Sequence, residues 1–132
     1  MRPEAQRWLK QGEADLEGVR VSLQGERYEW ACFQAQQAAE KMLKALLYNN
    51  GLTSIMTHSL KELLAECVKL HQGLTSLEEE ATFLDTFYLT TRYPNSLVGT
   101  LTPAEYYGRK DAEKCLSSAE SILGAVKSII GG

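Results

Sequence analysis

The chain has 132 residues, of which 44% are hydrophobic and 23% charged, values typical of a globular domain with its own core. We therefore expect one domain over 1–132, with neither a disordered tail nor a collagen-like repeat. The 14 basic and 17 acidic residues give a net charge of −3. This balance argues against general DNA or RNA binding, because a protein that coats nucleic acid needs a basic excess.

The sequence predicts no membrane span, no signal peptide and no paired cysteines. No window approaches 18 uncharged apolar residues, so we expect no membrane span, and the mixed-charge start at Met1 predicts no signal peptide. Cys32, Cys67 and Cys115 lie in apolar helical patterns without a CxxC motif or a Cys/His cluster. We interpret them as buried thiols of a cytoplasmic protein, with no disulfide framework, metal site or cofactor.

Apolar spacing predicts two long helices in the first part of the chain. The first runs from about Pro3 to Leu23, and Gly12 on its apolar face allows a neighbouring helix to come close. The second runs from about Tyr28 to Asn50 and has an alanine-rich stripe. Its opposite face is predicted to be polar and to carry the i,i+4 pair Glu40 and Lys44.

Three further helices follow. The third is predicted to open at 57–59 and to end at Gly73, where glycine stops the helical pattern. Ser76 and Glu79 have the spacing of a capping box for the fourth. A proline-marked segment over 90–102 comes next. Thr102 and Glu105 then predict a second capping box for the last helix, which is expected to continue to about residue 130.

These segments predict an all-α fold, a five-helix antiparallel up-and-down bundle with short connections. The apolar stripes on the second and last helices are broad. We expect part of that surface to be covered by a second copy of the chain in a symmetric dimer. The alternative is that the whole stripe is buried inside one monomer.

The strongest candidate for a functional site is the corner Arg92-Tyr93-Pro94-Asn95. Pro94 ends the preceding helix and favours an extended Tyr93. A guanidinium binds phosphate bidentately, and a phenol offers a stacking face. The residues support two interpretations equally: a ligand-binding corner, or a corner that pins the fourth helix to the last.

Other polar residues are weaker candidates. His58 lies at a helix start, where a histidine is more often a neighbour of the cap or a supporting hydrogen bonder than a catalytic base. Lys41 and Lys44 add positive potential if the fold brings them to Arg92, and are otherwise surface charges. The sequence has no Gly-rich phosphate loop, HExxH or GxSxG motif.

Three blocks of the sequence resemble HEPN domains, the "higher eukaryotes and prokaryotes nucleotide-binding" family. The helix 28–46, the segment 57–60 and the corner 91–95 occur in the family's order and spacing, and the likeness extends over nearly the whole chain. The resemblance implies a compact helical bundle, usually a symmetric dimer with a polar groove between subunits.

The family resemblance also implies a choice of functions. Ribonuclease toxins of the family carry Arg followed by His after four to six residues, whereas no His follows Arg92 through Gly99. Because an imidazole is the natural proton carrier for RNA cleavage, this argues against self-sufficient ribonuclease activity. Other members, resembling the C-terminal domain of sacsin, are proposed to bind nucleotides. Small prokaryotic members are commonly paired with a minimal nucleotidyltransferase in a toxin–antitoxin-like module.

The sequence and the resemblance together predict a non-catalytic protein that binds a nucleotide of the ATP or GTP type. Arg92 would hold phosphate, Tyr93 would line the base or ribose, and other polar side chains would add hydrogen bonds and positive potential. The complete set of candidate residues is Arg92, Tyr93, Asn95, His58, Lys41 and Lys44. The alternatives are a metal-independent ribonuclease and a protein-interaction module that docks the nucleotidyltransferase.

Overall fold

The computed structural model describes residues 1–52 and 54–131, and these residues contain no β-strand. They form α1 (Pro3–Gln24), α2 (Tyr28–Asn49), α3 (Leu60–Leu70), α4 (Glu78–Asp85), α5 (Phe87–Thr90), α6 (Pro103–Tyr106) and α7 (Arg109–Ile130), with 3₁₀ helices at Gln72–Leu77 and Pro94–Ser96. The all-α prediction is confirmed. The five predicted helical regions contain seven α-helices among the described residues.

Helix α2 is the centre of the bundle, and it packs most extensively against α1 and α7. Gly12 on α1 is buried, and a β-carbon there would lie 3.1 Å from Met42 Cγ and 3.3 Å from the carbonyl oxygen of Ala38. The predicted close approach at this glycine is therefore confirmed. Packing of this kind buries the alanine-rich stripe of α2 inside one protomer.

The prediction that Glu40 and Lys44 lie on an exposed face of α2 was wrong. Glu40 is 5% exposed, Lys44 is 4% exposed and the neighbouring Gln36 is fully buried. Helix α2 also contacts α3, α4, α5 and α6, so that little of its circumference reaches solvent. The i,i+4 pair therefore lies inside the protein, where its energetics differ from those of a surface pair.

The predicted boundary between the third and fourth helices was also wrong. Helix α3 ends at Leu70 rather than Gly73, and the chain continues as the 3₁₀ helix Gln72–Leu77. Ser76 Oγ donates to the carbonyl oxygen of Gly73, and α4 begins at Glu78 without a side-chain cap. Ser76 lies inside the 3₁₀ helix and the N-cap position of α4 falls on Leu77, so the capping box of Ser76 and Glu79 does not form.

The second predicted capping box is confirmed, but it opens a helix of only four residues. Thr102 Oγ1 accepts from the amide of Glu105, and the Glu105 carboxylate accepts from the amide of Thr102. Tyr107 is then extended, with φ −86° and ψ 136°, and the long helix α7 starts after it. The predicted last helix is thus two helices separated by two extended residues, Tyr107 and Gly108.

Two simpler expectations hold. All three cysteines are free and buried. Among the described residues, no helix combines the length and the apolar character needed to cross a lipid bilayer.

Candidate functional site

Arg92 lies directly after α5, at the corner that the sequence predicts. Its Nε donates to the carbonyl oxygen of Tyr88 at 3.0 Å, which satisfies an acceptor at the helix end. Its Cζ lies 4.7 Å from the ring centroid of Phe33, 4.9 Å from that of Tyr88 and 5.1 Å from that of Tyr93. Three aromatic rings therefore hold the guanidinium in place.

The charge of Arg92 is not neutralised by an ion pair within the described part of the chain. None of the ion pairs among residues 1–52 and 54–131 includes its guanidinium, and the side chain is only partly buried. A guanidinium that uses one N–H on the helix before it keeps others for an external anion. The corner is chemically suited to bind a phosphate or a carboxylate.

Tyr93 has the extended backbone that Pro94 favours, with φ −125° and ψ 124°. It is 49% exposed, so its ring contacts Arg92 while a large part of it remains open to a ligand. Asn95 is exposed on the 3₁₀ helix Pro94–Ser96 and takes no part in the contacts that hold Arg92. The corner therefore presents a cation and an aromatic ring together.

His58 comes from a different part of the chain and lies on the same aromatic cluster. Its ring stacks on Tyr88 with centroids 5.6 Å apart and an interplanar angle of 15°. Its Nδ1 lies 3.1 Å from Glu40 Oε2, and its carbonyl oxygen accepts from Gln36 Nε2 at 3.2 Å. The side chain is nonetheless 58% exposed. The fold thus holds an exposed imidazole in one orientation, on a tyrosine ring that Arg92 also contacts.

Lys44 is connected to His58 through Glu40. Its Nζ donates to Glu40 Oε2 at 2.9 Å and lies 5.4 Å from the ring centroid of Trp8. The second carboxylate oxygen, Glu40 Oε1, is buried without a hydrogen-bond partner among the described residues. Lys44 therefore neutralises a buried carboxylate, and does not present its ammonium group to solvent.

Lys41 lies in a different environment. It forms an ion pair with Asp15 on α1 and lines a groove of about 340 Å³ with Glu4, Arg7 and Trp8. This groove shares no residue with the cavity of about 300 Å³ that His58, Ser59, Asp85 and Tyr88 line. Arg92 and His58 contact the same tyrosine ring and Tyr93 contacts Arg92, whereas Lys41 lies outside this cluster.

Asp85 fixes the start of α3 and was not identified from the sequence. Its carboxylate accepts from the amides of Leu60 and Lys61 at 2.8 and 3.0 Å and from Ser59 Oγ at 3.2 Å. The positive end of the α3 dipole is therefore already bound to a carboxylate. An external anion at this surface is better served by the guanidinium of Arg92.

Phe33, Glu40 and Tyr88 were likewise missed as site residues. Tyr88 lies four residues before Arg92, a spacing that places both on one helical face, and this is a signal that the sequence does contain. The contacts of Arg92 with Phe33 and of His58 with Glu40 are long-range, and no local pattern indicates them.

The connection between α5 and α7 is made by Tyr107, not by the Arg92 corner. The hydroxyl of Tyr107 donates to Thr90 Oγ1 at 2.6 Å, and its ring lies 5.4 Å from that of Phe87. Burial raises the pKa of Tyr107, which favours the neutral phenol that makes this bond. The link from α5 to the segment before α7 is therefore supplied by Tyr107 and does not involve the guanidinium of Arg92.

The described residues contain no group of three or more His, Cys, Asp or Glu side chains arranged to hold a metal ion. The candidate site instead provides a fixed guanidinium, a fixed imidazole and the faces of aromatic rings. Such a set can bind a phosphate and place a hydrogen-bonding or proton-carrying nitrogen beside it.

Comparisons with known proteins agree with this architecture. The chain is 30% identical over 134 aligned positions to the protein named Putative toxin MJ1304 from Methanocaldococcus jannaschii, covering 96% of this chain and 88% of that protein. Its fold matches the crystal structure of TT1696 from Thermus thermophilus with a TM-score of 0.86 and 38% identity, covering 96% of this chain and 98% of the other.

Two further crystal structures are described as HEPN proteins. ST0689, an archaeal HEPN homologue, matches with a TM-score of 0.79 and 38% identity over 98% of this chain and 99% of that one. The HEPN domain protein tm0613 from Thermotoga maritima matches with a TM-score of 0.75 and 27% identity, covering 95% and 98%. The profile of the HEPN domain matches residues 5–129. The chain belongs to the HEPN domain family.

Proposed function

We propose that the protein binds a nucleotide at the surface formed by Arg92, Tyr93 and His58. The observation that supports this most directly is the guanidinium of Arg92, which three aromatic rings hold in place and no carboxylate of the described residues pairs with. In this proposal the guanidinium holds phosphate, and the half-exposed ring of Tyr93 lies against the base or ribose.

The remaining candidate residues have smaller roles in the proposal. His58 and Asn95 supply hydrogen bonds to the ligand. Lys44 contributes through Glu40, which it neutralises and which contacts His58. Lys41 adds only long-range positive potential, because its ammonium group is paired with Asp15.

Calorimetric titration with ATP and with GTP tests the proposal. Arg92→Ala is expected to weaken binding roughly ten- to hundredfold, because a lost charge-assisted phosphate contact costs about 1.5–3 kcal/mol. Arg109→Ala is a matched control, since Arg109 also lies over a tyrosine ring, that of Tyr28, at 5.3 Å. Equal affinities for wild type and Arg92→Ala would remove Arg92 from the site.

A second candidate function is metal-independent RNA cleavage, and the place of His58 favours it. The imidazole that the motif after Arg92 lacks is supplied from the start of α3, on the same tyrosine ring. In this reaction the 2′-oxygen attacks phosphorus while the bond to the 5′-oxygen breaks. The imidazole takes the 2′-hydroxyl proton and returns it to the leaving 5′-oxygen.

Incubation with tRNA and mRNA in the presence of a chelator decides between binding and cleavage. Cleavage by wild type and its loss in His58→Ala would establish the ribonuclease. Intact RNA at high protein excess would exclude it and leave nucleotide binding as the function.

The proposal extends to partners and location. The relative named as a toxin supports a role in a toxin–antitoxin-like module, in which this protein forms a homodimer and pairs with a minimal nucleotidyltransferase. The buried free thiols are compatible with a reducing cytoplasm. Light scattering tests the dimer, and co-purification with the product of a neighbouring gene tests the pairing. Pairing without any nucleotide binding would instead indicate a pure interaction module.

A further inference from the structure

The most tightly held exposed side chain of the candidate site is His58. Its ring is stacked on Tyr88, its Nδ1 lies 3.1 Å from Glu40 Oε2, and its carbonyl oxygen is bound by the fully buried Gln36. Ordering a side chain costs conformational entropy, and here the ring is fixed although 58% of it faces solvent. This combination indicates that the orientation of the ring serves a ligand.

The contacts of Glu40 determine which ring nitrogen faces that ligand. Glu40 Oε2 accepts from Lys44 Nζ at 2.9 Å, and a carboxylate paired with an ammonium group accepts hydrogen bonds and donates none. The proton between His58 and Glu40 is therefore on Nδ1. In the neutral imidazole a proton on Nδ1 leaves a lone pair on Nε2. His58 thus offers a hydrogen-bond acceptor on its free side.

Arg92 and His58 contact one ring, that of Tyr88, and this limits the distance between them. The Cζ of Arg92 lies 4.9 Å from its centroid and the imidazole 5.6 Å from it. Whichever faces of the ring they occupy, the guanidinium and the imidazole are no farther apart than these two distances added together, and one nucleotide can span that separation from its phosphate to its sugar. The groups of that sugar that can donate a hydrogen bond to a lone pair are its hydroxyls.

We propose that Nε2 of His58 accepts a hydrogen bond from a ribose hydroxyl of the nucleotide whose phosphate Arg92 holds, so that the site selects ribonucleotides over deoxyribonucleotides. The inference rests on the proposed nucleotide binding and adds a specificity-determining residue to it. Glu40 is the positioning residue that fixes the tautomer of the ring, and Lys44 holds Glu40. The 2′- and 3′-hydroxyls present the same chemistry, and analogues distinguish them.

The test compares ATP with 2′-deoxy-ATP and 3′-deoxy-ATP by calorimetry at mildly alkaline pH. One of the two deoxy analogues is expected to bind the wild type about three- to tenfold more weakly than ATP, which corresponds to one lost hydrogen bond. His58→Ala is expected to bind all three equally. His71→Ala, which removes the other histidine of the chain, is expected to keep the wild-type preference.

The outcomes separate this inference from the proposed function. If ATP binds in an Arg92-dependent manner and both analogues bind as tightly as ATP, the inference is wrong and nucleotide binding stands. A preference that persists in His58→Ala also overturns it. If ATP does not bind the wild type, both proposals fail together.

A second variant tests the positioning role of Glu40. Glu40→Leu combined with Lys44→Met removes the acceptor of the Nδ1 proton together with its buried partner, so that no unpaired charge is left behind. We expect the ¹⁵N chemical shifts of His58 to change from those of the Nδ1–H tautomer to those of a mixture of both tautomers, and the preference for ribose to weaken. Unchanged tautomer signals or an unchanged preference would contradict the positioning role.

Discussion

Helix α2 has two buried stripes, one apolar and one polar, and they contact different parts of the protein. The apolar stripe packs on α1 and α7 and is made largely of alanines, with Met42 against Gly12. The polar stripe consists of Gln36, Glu40 and Lys44, which lie at steps of four residues and are all at most 5% exposed. Both stripes are equally inaccessible to water, but only the polar one ends at an exposed side chain, His58.

The difference shows what each kind of burial contributes. Burying apolar surface stabilises the fold at roughly 25 cal/mol per Å². A buried ion pair gains little net stability over an apolar pair of the same size, because desolvation offsets the attraction of the charges. The polar stripe is therefore better explained by the orientation it gives to His58 than by its contribution to stability.

The largest effect is expected when the buried pair is broken. Lys44→Ala leaves Glu40 as an uncompensated buried charge whose Oε1 already lacks a partner among the described residues, and we expect a loss of about 3–5 kcal/mol in the free energy of unfolding. Urea denaturation measures it. Lys69→Ala, which breaks the exposed pair with Glu66, is expected to cost well under about 1 kcal/mol. Similar small losses in both variants would show that Glu40 is tolerated in its buried position without the ammonium group of Lys44.

Sequence reasoning identifies the Arg92 corner and misses the polar stripe for a physical reason. Pro94 acts on its immediate neighbours, so the extended Tyr93 follows from local sterics. The pair Glu40 and Lys44 has the spacing of an ordinary surface pair, and only the helices packed around α2 decide that it is buried. Local patterns specify backbone corners, while burial of charge depends on the whole bundle.

The helix boundaries show the same difference between what nearby residues decide and what distant residues decide. Thr102 caps α6 because its partner Glu105 is three residues away and the hydroxyl is free to accept from its amide. Ser76 has the same spacing to Glu79, but it lies inside the 3₁₀ helix Gln72–Leu77, and the N-cap position of α4 falls on Leu77. The cap of α3 comes in part from Asp85, which is 25 residues from the amide of Leu60. A cap supplied from such a distance leaves no signal in a sequence window.

The apolar stripe is expected to respond to added volume instead of lost charge. Gly12→Leu places atoms where a β-carbon already lies 3.1 Å from Met42 Cγ, and overpacking of this kind costs about 1–3 kcal/mol. Gly124→Leu on α7 is the matched control. A β-carbon there meets no atom within 4 Å, and the change replaces a poor helix former with a good one. A thermal melt of both variants checks the contrast, and a stable Gly12→Leu protein would refute close packing of α1 on α2.

A smaller loss is expected at the junction between the polar stripe and α3. Asp85→Ala removes a carboxylate that accepts from Leu60, Lys61 and Ser59, and lost helix capping costs about 0.5–2 kcal/mol. Glu113→Ala, at an exposed position of α7, is the control. The structure also predicts looser packing of His58 in Asp85→Ala, visible as a broadened imidazole NMR signal. An unchanged melting temperature would mean that the amides find other partners.

The last prediction concerns the titration of Cys67. It has no effect on stability at neutral pH and becomes visible only in alkali. Burial raises the pKa of Cys67 from its ordinary value of 9 to about 12, so the folded protein holds this proton more tightly than the unfolded chain does. The resulting stability is complete below pH 9 and is lost as the pH rises towards about 12. Between these two pH values the free energy of unfolding of the wild type should fall as the pH rises. In Cys67→Ala this fall should be less steep, by up to about 1.4 kcal/mol per pH unit.

Val126→Ala separates this titration from the loss of side-chain volume. Val126 is fully buried, as Cys67 is, but it carries no proton that titrates, so its variant should lose stability by the same amount at every pH. Tyr107 and Cys115 also have raised pKa values through burial or buried hydrogen bonding, and they keep the Cys67→Ala protein sensitive to alkali. Parallel pH curves for wild type and Cys67→Ala would mean that water reaches Cys67 in the folded protein.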